Sequence, residues 1–506
     1  MNSSFRSNTN DIGGWQVGIL LILFVLALYL FYSSGFSAFA AVCLLPLVVI
    51  FLTATFGNGM FLFWILCLVN YFIQWKNFPI QGIPMSLPNE ALELLLLILA
   101  VIKVKDIHPE RMLNVMLMAL IIWGLFCTLE VLNNTHGMGI DIGAWYAGAR
   151  MVSFQLVYAF LVFTIYINDY KRLLSYLYLW AGLSIFASFW VWKQQNIGLT
   201  TAENSFLHGR GSTTHIINSG ATIRYFSVFS DAANFGINMA ASAVAFIIFG
   251  ITSRIKKHKY FFFFAGFVSL WGMMPSGTRT AMFCVAVGFA AYIFLSRSFK
   301  IAAAAGVVLL LGFFIVAFTG IGNSNAQVRR MRSGLNTEDK SANQRTINQA
   351  IMKKYLQDAP WGLGIGVGYD DVPANNKYNK LATIPPDSEY VYIWIHTGRI
   401  GLTLFIIVTL IMFGGACRVV LFKLKNKSLT GIGAGLCCAF VSLQLGGYGN
   451  QVMMQFPNCL IFYGGLTLVY VLPFLEKEWS EYENKLFEAQ EEKRRLKREK
   501  KLASRV

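Results

Sequence analysis

Charge is what this 506-residue sequence has least of: Asp, Glu, Lys and Arg make up only 13%. A soluble globular chain carries about 25%. A water-soluble protein of this length needs a charged surface that these residues cannot supply. The shortage excludes a cytosolic enzyme, a secreted scaffold and a disordered chain. Cysteine is sparse too. Its eight residues (43, 67, 127, 284, 417, 437, 438 and 459) lie in or beside apolar runs, with no CxxC spacing. That excludes a disulfide framework and a zinc site and leaves small residues of a membrane core. Acidic residues number 25 against 42 basic ones, a formal +17. What the chain does have is apolar bulk: 56% hydrophobic and 15% aromatic, with 43 Phe, and a mean hydropathy of +0.54.

The apolar residues are grouped. About 20 mainly apolar residues cross a bilayer as a helix. Such runs fall at 15–32, 36–54, 57–75, 89–103, 113–132, 150–168, 173–192, 232–253, 259–276, 279–296, 300–320, 387–415, 430–448 and 456–475. The pattern predicts an all-α, polytopic membrane bundle of 12–14 spans. The run 387–415 is too long for one clean crossing. It reads as a re-entrant or interfacial piece followed by a crossing from about Arg399. The organisation expected is a short N-terminus 1–14, a bundle 15–320 with a loop 193–231, a large loop 321–386, a second membrane part 387–475 and a charged helical tail 476–506.

Basic residues in short loops set orientation. Lys103, Lys105 and Arg111, Lys171 and Arg172, Arg254 to Lys259, Arg297 and Lys300, and Arg418 to Lys427 occupy alternate connections. Placing them in the cytoplasm leaves both termini inside and puts loops 193–231 and 321–386 outside. The first run, 15–32, then reads as a retained signal anchor. The tail holds 10 Lys and Arg against 8 Asp and Glu, a net of +2, so +15 of the +17 lies elsewhere, chiefly in loops. The charge is therefore a topological signal, and no nucleic-acid partner is expected. KRRLKREKK in the tail suits anionic lipid or solvent, and the tail reads as a solubilising helix.

Ionisable residues in or near spans are costly and mark candidate sites. Arg224, Arg279, Asp387 and Glu389 fall at one expected depth, near the outer surface, and Arg150 lies near the same level. Each Arg could alternatively snorkel to headgroups alone. Arg345 opens an amphipathic helix over 343–357 in the outer loop. That helix runs into Pro360-Trp361-Gly362-Leu363-Gly364-Ile365-Gly366-Val367-Gly368. Its alternate glycines look like a dinucleotide loop, but no strand precedes them and no helix opens on them. They read instead as a backbone that packs closely on its neighbours. Asp370-Asp371 reads as loop solvation, and no His or carboxylate cluster calls for a metal. Trp361, Tyr369, Tyr378, Tyr390, Tyr392 and Trp394 suit sugar stacking or simply the membrane interface.

Four features recur in order. An Arg precedes a span with a Phe-Gly (Arg224 to Phe235-Gly236), and a Ser-x-x-Arg turn follows (Ser276, Arg279). Next comes an outer loop with an Arg-led helix and a Pro-x-Gly-x-Gly run. A polar helix start ends the series in Gly-x-x-Gly (Asp387 to Gly398 and Gly401). Over about 220–415 the chain resembles the O-antigen ligase and polymerase superfamily of bacterial membrane glycosyltransferases. The resemblance implies a GT-C-like bundle in the bacterial cytoplasmic membrane. It implies that Arg224, Arg279 and Arg345 hold a lipid-linked diphosphate. At the position where the ligases start this helix with a His, this chain has Asp387. That departure favours a Wzy-type polymerase, with Asp387 as the base and Glu389 as the second choice. His396, two residues before Gly398, is an additional candidate, as are Arg150 and Trp361. No cofactor is implied. The implied partners are a polyprenyl-diphosphate-linked oligosaccharide, membrane lipid, a chain-length regulator and a flippase. Two alternatives stay open: a ligase moving the finished glycan to lipid A-core or protein, and a flippase for the same lipid-linked glycan.

Overall fold

The computed structural model describes residues 59–78, 86–102, 108–217, 222–296, 340–368, 371–384 and 386–503, with isolated positions between 306 and 329. The expected spans 15–32 and 36–54, and nearly all of 300–320, lie outside the described residues. The chain divides into two units, 1–64 and 65–506. In the first, residues 59–64 are described and open the apolar helix α1 (Gly59–Phe72). The rest of this section concerns the second unit.

That unit is built of helices: α2 (Leu87–Ile102), α3 (Val115–Leu129), α4 (Ile142–Tyr166, with a π turn at 150–154), α5 (Tyr170–Asn196) and α6 (Thr201–His208). There follow α7 (Ala232–Thr252), α8 (Lys256–Gly272), α9 (Arg279–Leu295), α10 (Lys340–Leu356), α11 (Glu389–Arg418), α12 (Lys427–Gly449) and α13 (Gly464–Ala503). Among the described residues, seven helices are long and apolar enough to cross a membrane. The chain is an all-α, multi-pass membrane protein. Its only described strands are a two-residue hairpin, Ile216–Ile217 against Thr222–Ile223.

Several helices begin where a side chain takes up free backbone N–H groups. Asn114, Asp169, Asp231 and Asn426 each accept from the first turn of α3, α5, α7 and α12. Such caps fix where a span begins, which hydropathy alone leaves loose. Helix α7 lies at the centre, packed by α8, α9 and α12. It is buried almost throughout. Close approach comes from small residues: a Cβ on Gly435 would meet Phe249, and one on Gly288 would meet Ser442 and Val244. Lipid tails give no hydrophobic drive between helices, so such contacts carry the association. Polar pairing adds to it. Asn238 donates to Asn458 at 2.7 Å, Asn458 to Asn234 at 2.8 Å, and Asn234 to the Phe456 carbonyl at 2.8 Å. These bonds fix the turn 450–458 against the start of α7.

Contacts sort the connections to two ends. At one end Arg111 donates to the Asn168 carbonyl at 2.8 Å and the Arg254 N–H to Ser428 at 3.1 Å. The basic loops meet there. Helix α13 continues from its span into the tail without a break. Glu476 accepts from the backbone N–H groups of Lys425 and Asn426, Glu483 accepts from Asn426 Nδ2 at 2.9 Å, and Tyr482 pairs with His258 at 3.1 Å. The first turns of the tail are therefore docked under the bundle.

At the other end, α10 and the following loop fold on a small core of Met352, Leu356, Leu363, Leu381, Val391 and Ile395. Helix α11 is broken at Gly398 (φ 64, ψ −168), so a short segment 389–397 precedes the crossing from Arg399. The break leaves carbonyls that the glycine-rich loop satisfies. Leu363 N–H donates to the Ile395 carbonyl and Gly364 N–H to that of His396, both at 2.9 Å. A Cβ at Gly398 would strike the Pro360 carbonyl as well as strain the backbone. Gly398→Ala should therefore cost about 3 kcal/mol, read as a lower melting temperature of the purified protein in detergent.

Candidate functional site

The end with the α10 cap carries an open cleft of about 590 Å³, lined among others by Thr214, Arg224, Asp231, Arg345, Asp387, Gln451 and Gln455. Four chain segments meet there: the hairpin and start of α7, helix α10, the approach to α11, and the turn 450–455. They are far apart in sequence.

Arg224 is the best-anchored of these side chains. Its Nε donates to the Ser276 carbonyl, Nη1 to the Thr214 carbonyl and Nη2 to Thr278 Oγ1, each at 3.1 Å. A guanidinium has five N–H donors, so two remain beyond these three bonds. Burial pulls Arg224 below its ordinary pKa, Asp231 opposes this, and the nearby charge of Arg279 adds to it. Arg279 opens α9 just after the Ser276–Thr278 turn that holds Arg224. Arg345 faces Asp387 at 4.0 Å, and both are partly open to solvent. Among the described residues, Gln451 Nε2 and Arg345 Nε are buried donors without a hydrogen-bond acceptor.

Asp231 is tied down differently. It accepts from the N–H groups of Ala233 at 2.7 Å and Asn234 at 2.9 Å, as the cap of α7. Ser230 Oγ lies 3.0 Å from it and 2.6 Å from Gln455 Oε1, with its single hydroxyl hydrogen shared between the two acceptors. Behind it, Lys76 donates to the Ser230 carbonyl at 3.1 Å and lies 3.9 Å over the Phe206 ring. Burial lowers the Lys76 ammonium to about 8, with Asp231 pulling the other way. His215 Nε2 accepts from the Ala232 N–H at 3.2 Å, so its Nδ1–H donates to the Gly211 carbonyl at 2.9 Å. Burial lowers its pKa and favours the neutral imidazole. The cleft thus offers fixed positive donors beside two carboxylates, one capped and one more open.

Arg224, Arg345 and Asp387 line this cleft, and Arg279 lies beside Arg224. The other sequence candidates fall elsewhere. Glu389 is buried and accepts from the Met453 N–H at 3.1 Å, bracing the 450–458 turn. Glu389→Gln should leave glycan transfer intact but lower stability by about 1–3 kcal/mol, as read by parallel activity and melting measurements. Arg150 is paired with Glu90 at 3.1 Å between α4 and α2. His396 is buried against the Gly364 carbonyl at 3.1 Å and the Tyr392 ring. Trp361 stacks on Phe126 and is 49% exposed, on the cap rather than in the cleft. Of the aromatic lip, Tyr378 and Trp394 belong to the cap core, Tyr390 donates to Gln444, and Tyr369 lies outside the described residues. Asp371 accepts from the Gly368 N–H, and Asp370 is outside the described residues. Among the described residues no group of three or more His, Cys, Asp or Glu could hold a metal ion.

Sequence reading missed Lys76, Asp231, Gln451 and Gln455. Two signals were present. Lys76 is the one charged residue in the connection 76–88, and Asp231 precedes an apolar run in the manner of a helix cap. The glutamines left no signal, because their place comes from the asparagine pairing of α7 with the 450–458 turn.

A family model described as "O-Antigen ligase" matches residues 264–406. The matched segment runs from within α8 into the second part of α11, and it contains Arg279, Arg345 and Asp387. No curated protein matches the chain. The family match supports the O-antigen ligase and polymerase superfamily and, with it, a glycosyltransferase-like ligase or polymerase activity in a membrane.

Proposed function

From the place of residues 264–406 in the O-antigen ligase and polymerase superfamily, we propose that the protein polymerises glycan repeat units carried on a polyprenyl diphosphate. The observation that supports this reading is the cleft itself: Arg224 and Arg345 with Asp231 and Asp387 at one end of a membrane bundle. A lipid-linked substrate reaches such a site from the bilayer. Its diphosphate meets Arg224 and Arg345, with Arg279 adding charge. Guanidinium groups suit this role because they are planar, permanently charged and bind phosphate oxygens in pairs.

The reaction joins an acceptor hydroxyl to the donor sugar C1. The C1–O bond to the diphosphate breaks, and its electron pair leaves with the polyprenyl diphosphate. Fixed donors stabilise the charge as it develops there. The hydroxyl proton passes to Asp387 as general base and then to solvent. Asp387 is the choice over Asp231 because Asp231 already accepts two backbone hydrogen bonds and shares the Ser230 hydroxyl. No cofactor or metal enters this scheme. The basic end faces the cytoplasm and the cleft faces outward, in the bacterial cytoplasmic membrane, with both termini inside. A flippase that delivers units and a chain-length regulator are the partners this scheme needs.

A ligase transferring the finished glycan to lipid A-core or protein is the second reading, and the description of the matching family favours it. Deleting the gene separates the two. Loss of a polymerase leaves single units on the acceptor, whereas loss of a ligase leaves long polymer on the carrier lipid. The second result would overturn the polymerase reading.

A further inference from the structure

At the basic end, far from the cleft, a second groove of about 200 Å³ lies between α7, α9 and α12. Its walls are mainly apolar: Ile251, Tyr292, Leu295 and Ala434. Phe294 and Phe422, next to its lining, are 82% and 78% exposed, as side chains facing hydrocarbon would be. The groove's lining includes Lys425 and Lys427, which lie just before and at the first residue of α12. Among the described residues neither ammonium has an ion pair or hydrogen bond. Thr430 also lines the groove and is nine-tenths buried, and among the described residues its hydroxyl has no partner.

Three features thus converge at one mouth: two free ammonium groups, the positive end of a helix and an unsatisfied buried hydroxyl. Each favours an anion with acceptor oxygens. The apolar channel behind them has the opposite taste. A free phosphate would leave that channel uncovered, and a neutral lipid would leave the lysines unpaired. One ligand class satisfies both halves.

We propose that this groove is a binding site for an anionic phospholipid, with an acyl chain along Leu295 and Ala434 and the phosphate on Lys425, Lys427 and the Thr430 hydroxyl. The site is independent of the glycan reaction. A lipid held there would staple α9 to α12, two helices that also carry parts of the cleft end.

The test uses the full-length protein, stripped of lipid in detergent and titrated in native mass spectrometry with phosphatidylglycerol, phosphatidylethanolamine or inorganic phosphate. Phosphatidylglycerol should bind about tenfold tighter than phosphatidylethanolamine, and inorganic phosphate should not displace it. The double variant Lys425→Gln/Lys427→Gln should lose that preference with its lipid-free melting temperature unchanged. Thr430→Val should weaken phosphatidylglycerol about threefold. Lys477→Gln/Lys485→Gln, which removes the same charge from exposed positions on α13, should keep the full preference. Equal binding of the two lipids by the wild type would overturn the proposal. So would an unchanged preference in the Lys425/Lys427 variant, or displacement by inorganic phosphate, which would make the site one for the free anion.

Discussion

Arg224→Ala should cut glycan transfer by about a hundred- to a thousandfold, the loss seen when one preorganised donor to a developing anion is removed. Three hydrogen bonds hold Arg224 in place. Its position therefore does not have to be organised as the reaction proceeds. Arg224→Lys keeps the charge but cannot span Ser276, Thr214 and Thr278 together. It should lose about tenfold. The same bonds tie the hairpin to the Ser276–Thr278 turn, so Arg224→Ala could also loosen the fold. The Lys variant and a melting curve separate the two effects. If Arg224→Lys melts like the wild type and transfers at full rate, anchoring is irrelevant and only charge counts. If Arg224→Ala also transfers normally, the residue has no part in donor binding.

Asp387→Asn should reduce turnover by about 10²- to 10⁴-fold, the usual range for a general base, with donor affinity almost unchanged. Asparagine keeps the shape and cannot take a proton. The comparison that gives this result meaning is Asp231→Asn. Asparagine caps a helix as well as aspartate does, so α7 keeps its start and stability should hold. If Asp387 is the base, Asp231→Asn should transfer within about tenfold of the wild type, far above Asp387→Asn. The reverse order would move the base to Asp231 and leave Asp387 as the partner of Arg345. A single-turnover measurement with saturating donor reads the chemical step apart from binding.

Much of the fold is legible in the sequence, because a bilayer imposes a simple rule on it. A span must be about 20 apolar residues, and Asp169, Asp231 and Asn426 mark where spans begin. The break near Arg399 is legible for the same reason: 387–415 exceeds one crossing and contains Gly398. The docked part of the tail is not legible. Glu476 and Glu483 look like solvent charges until the loop 424–427 is folded against them. The cap core is hidden likewise, since Met352, Leu381 and Val391 meet only in three dimensions.

The site divides on the same line. Arg345 stands out because it opens the outer-loop helix, and Arg224 and Asp387 because charge near a membrane is costly. Arg150 stands out for that reason too, yet the fold pairs it with Glu90. Depth in the membrane was the shared signal, and depth does not say which side of a helix a residue faces. Glu389 stands out by depth as well, and His396 by its place beside Gly398. In the folded chain each satisfies backbone groups of a neighbouring segment instead. Lys76, Gln451 and Gln455 come from segments whose meeting depends on polar pairs inside the bundle, such as Asn234 with Asn458.

The most direct measurement adds a purified polyprenyl-diphosphate-linked repeat unit, and no other acceptor, to the protein in detergent. The account predicts a ladder of products spaced by one repeat unit, with one polyprenyl diphosphate released per bond formed, and no ladder from Arg224→Ala. A wild-type protein that consumes no donor under these conditions, or one whose ladder survives loss of both Arg224 and Asp387, would contradict it.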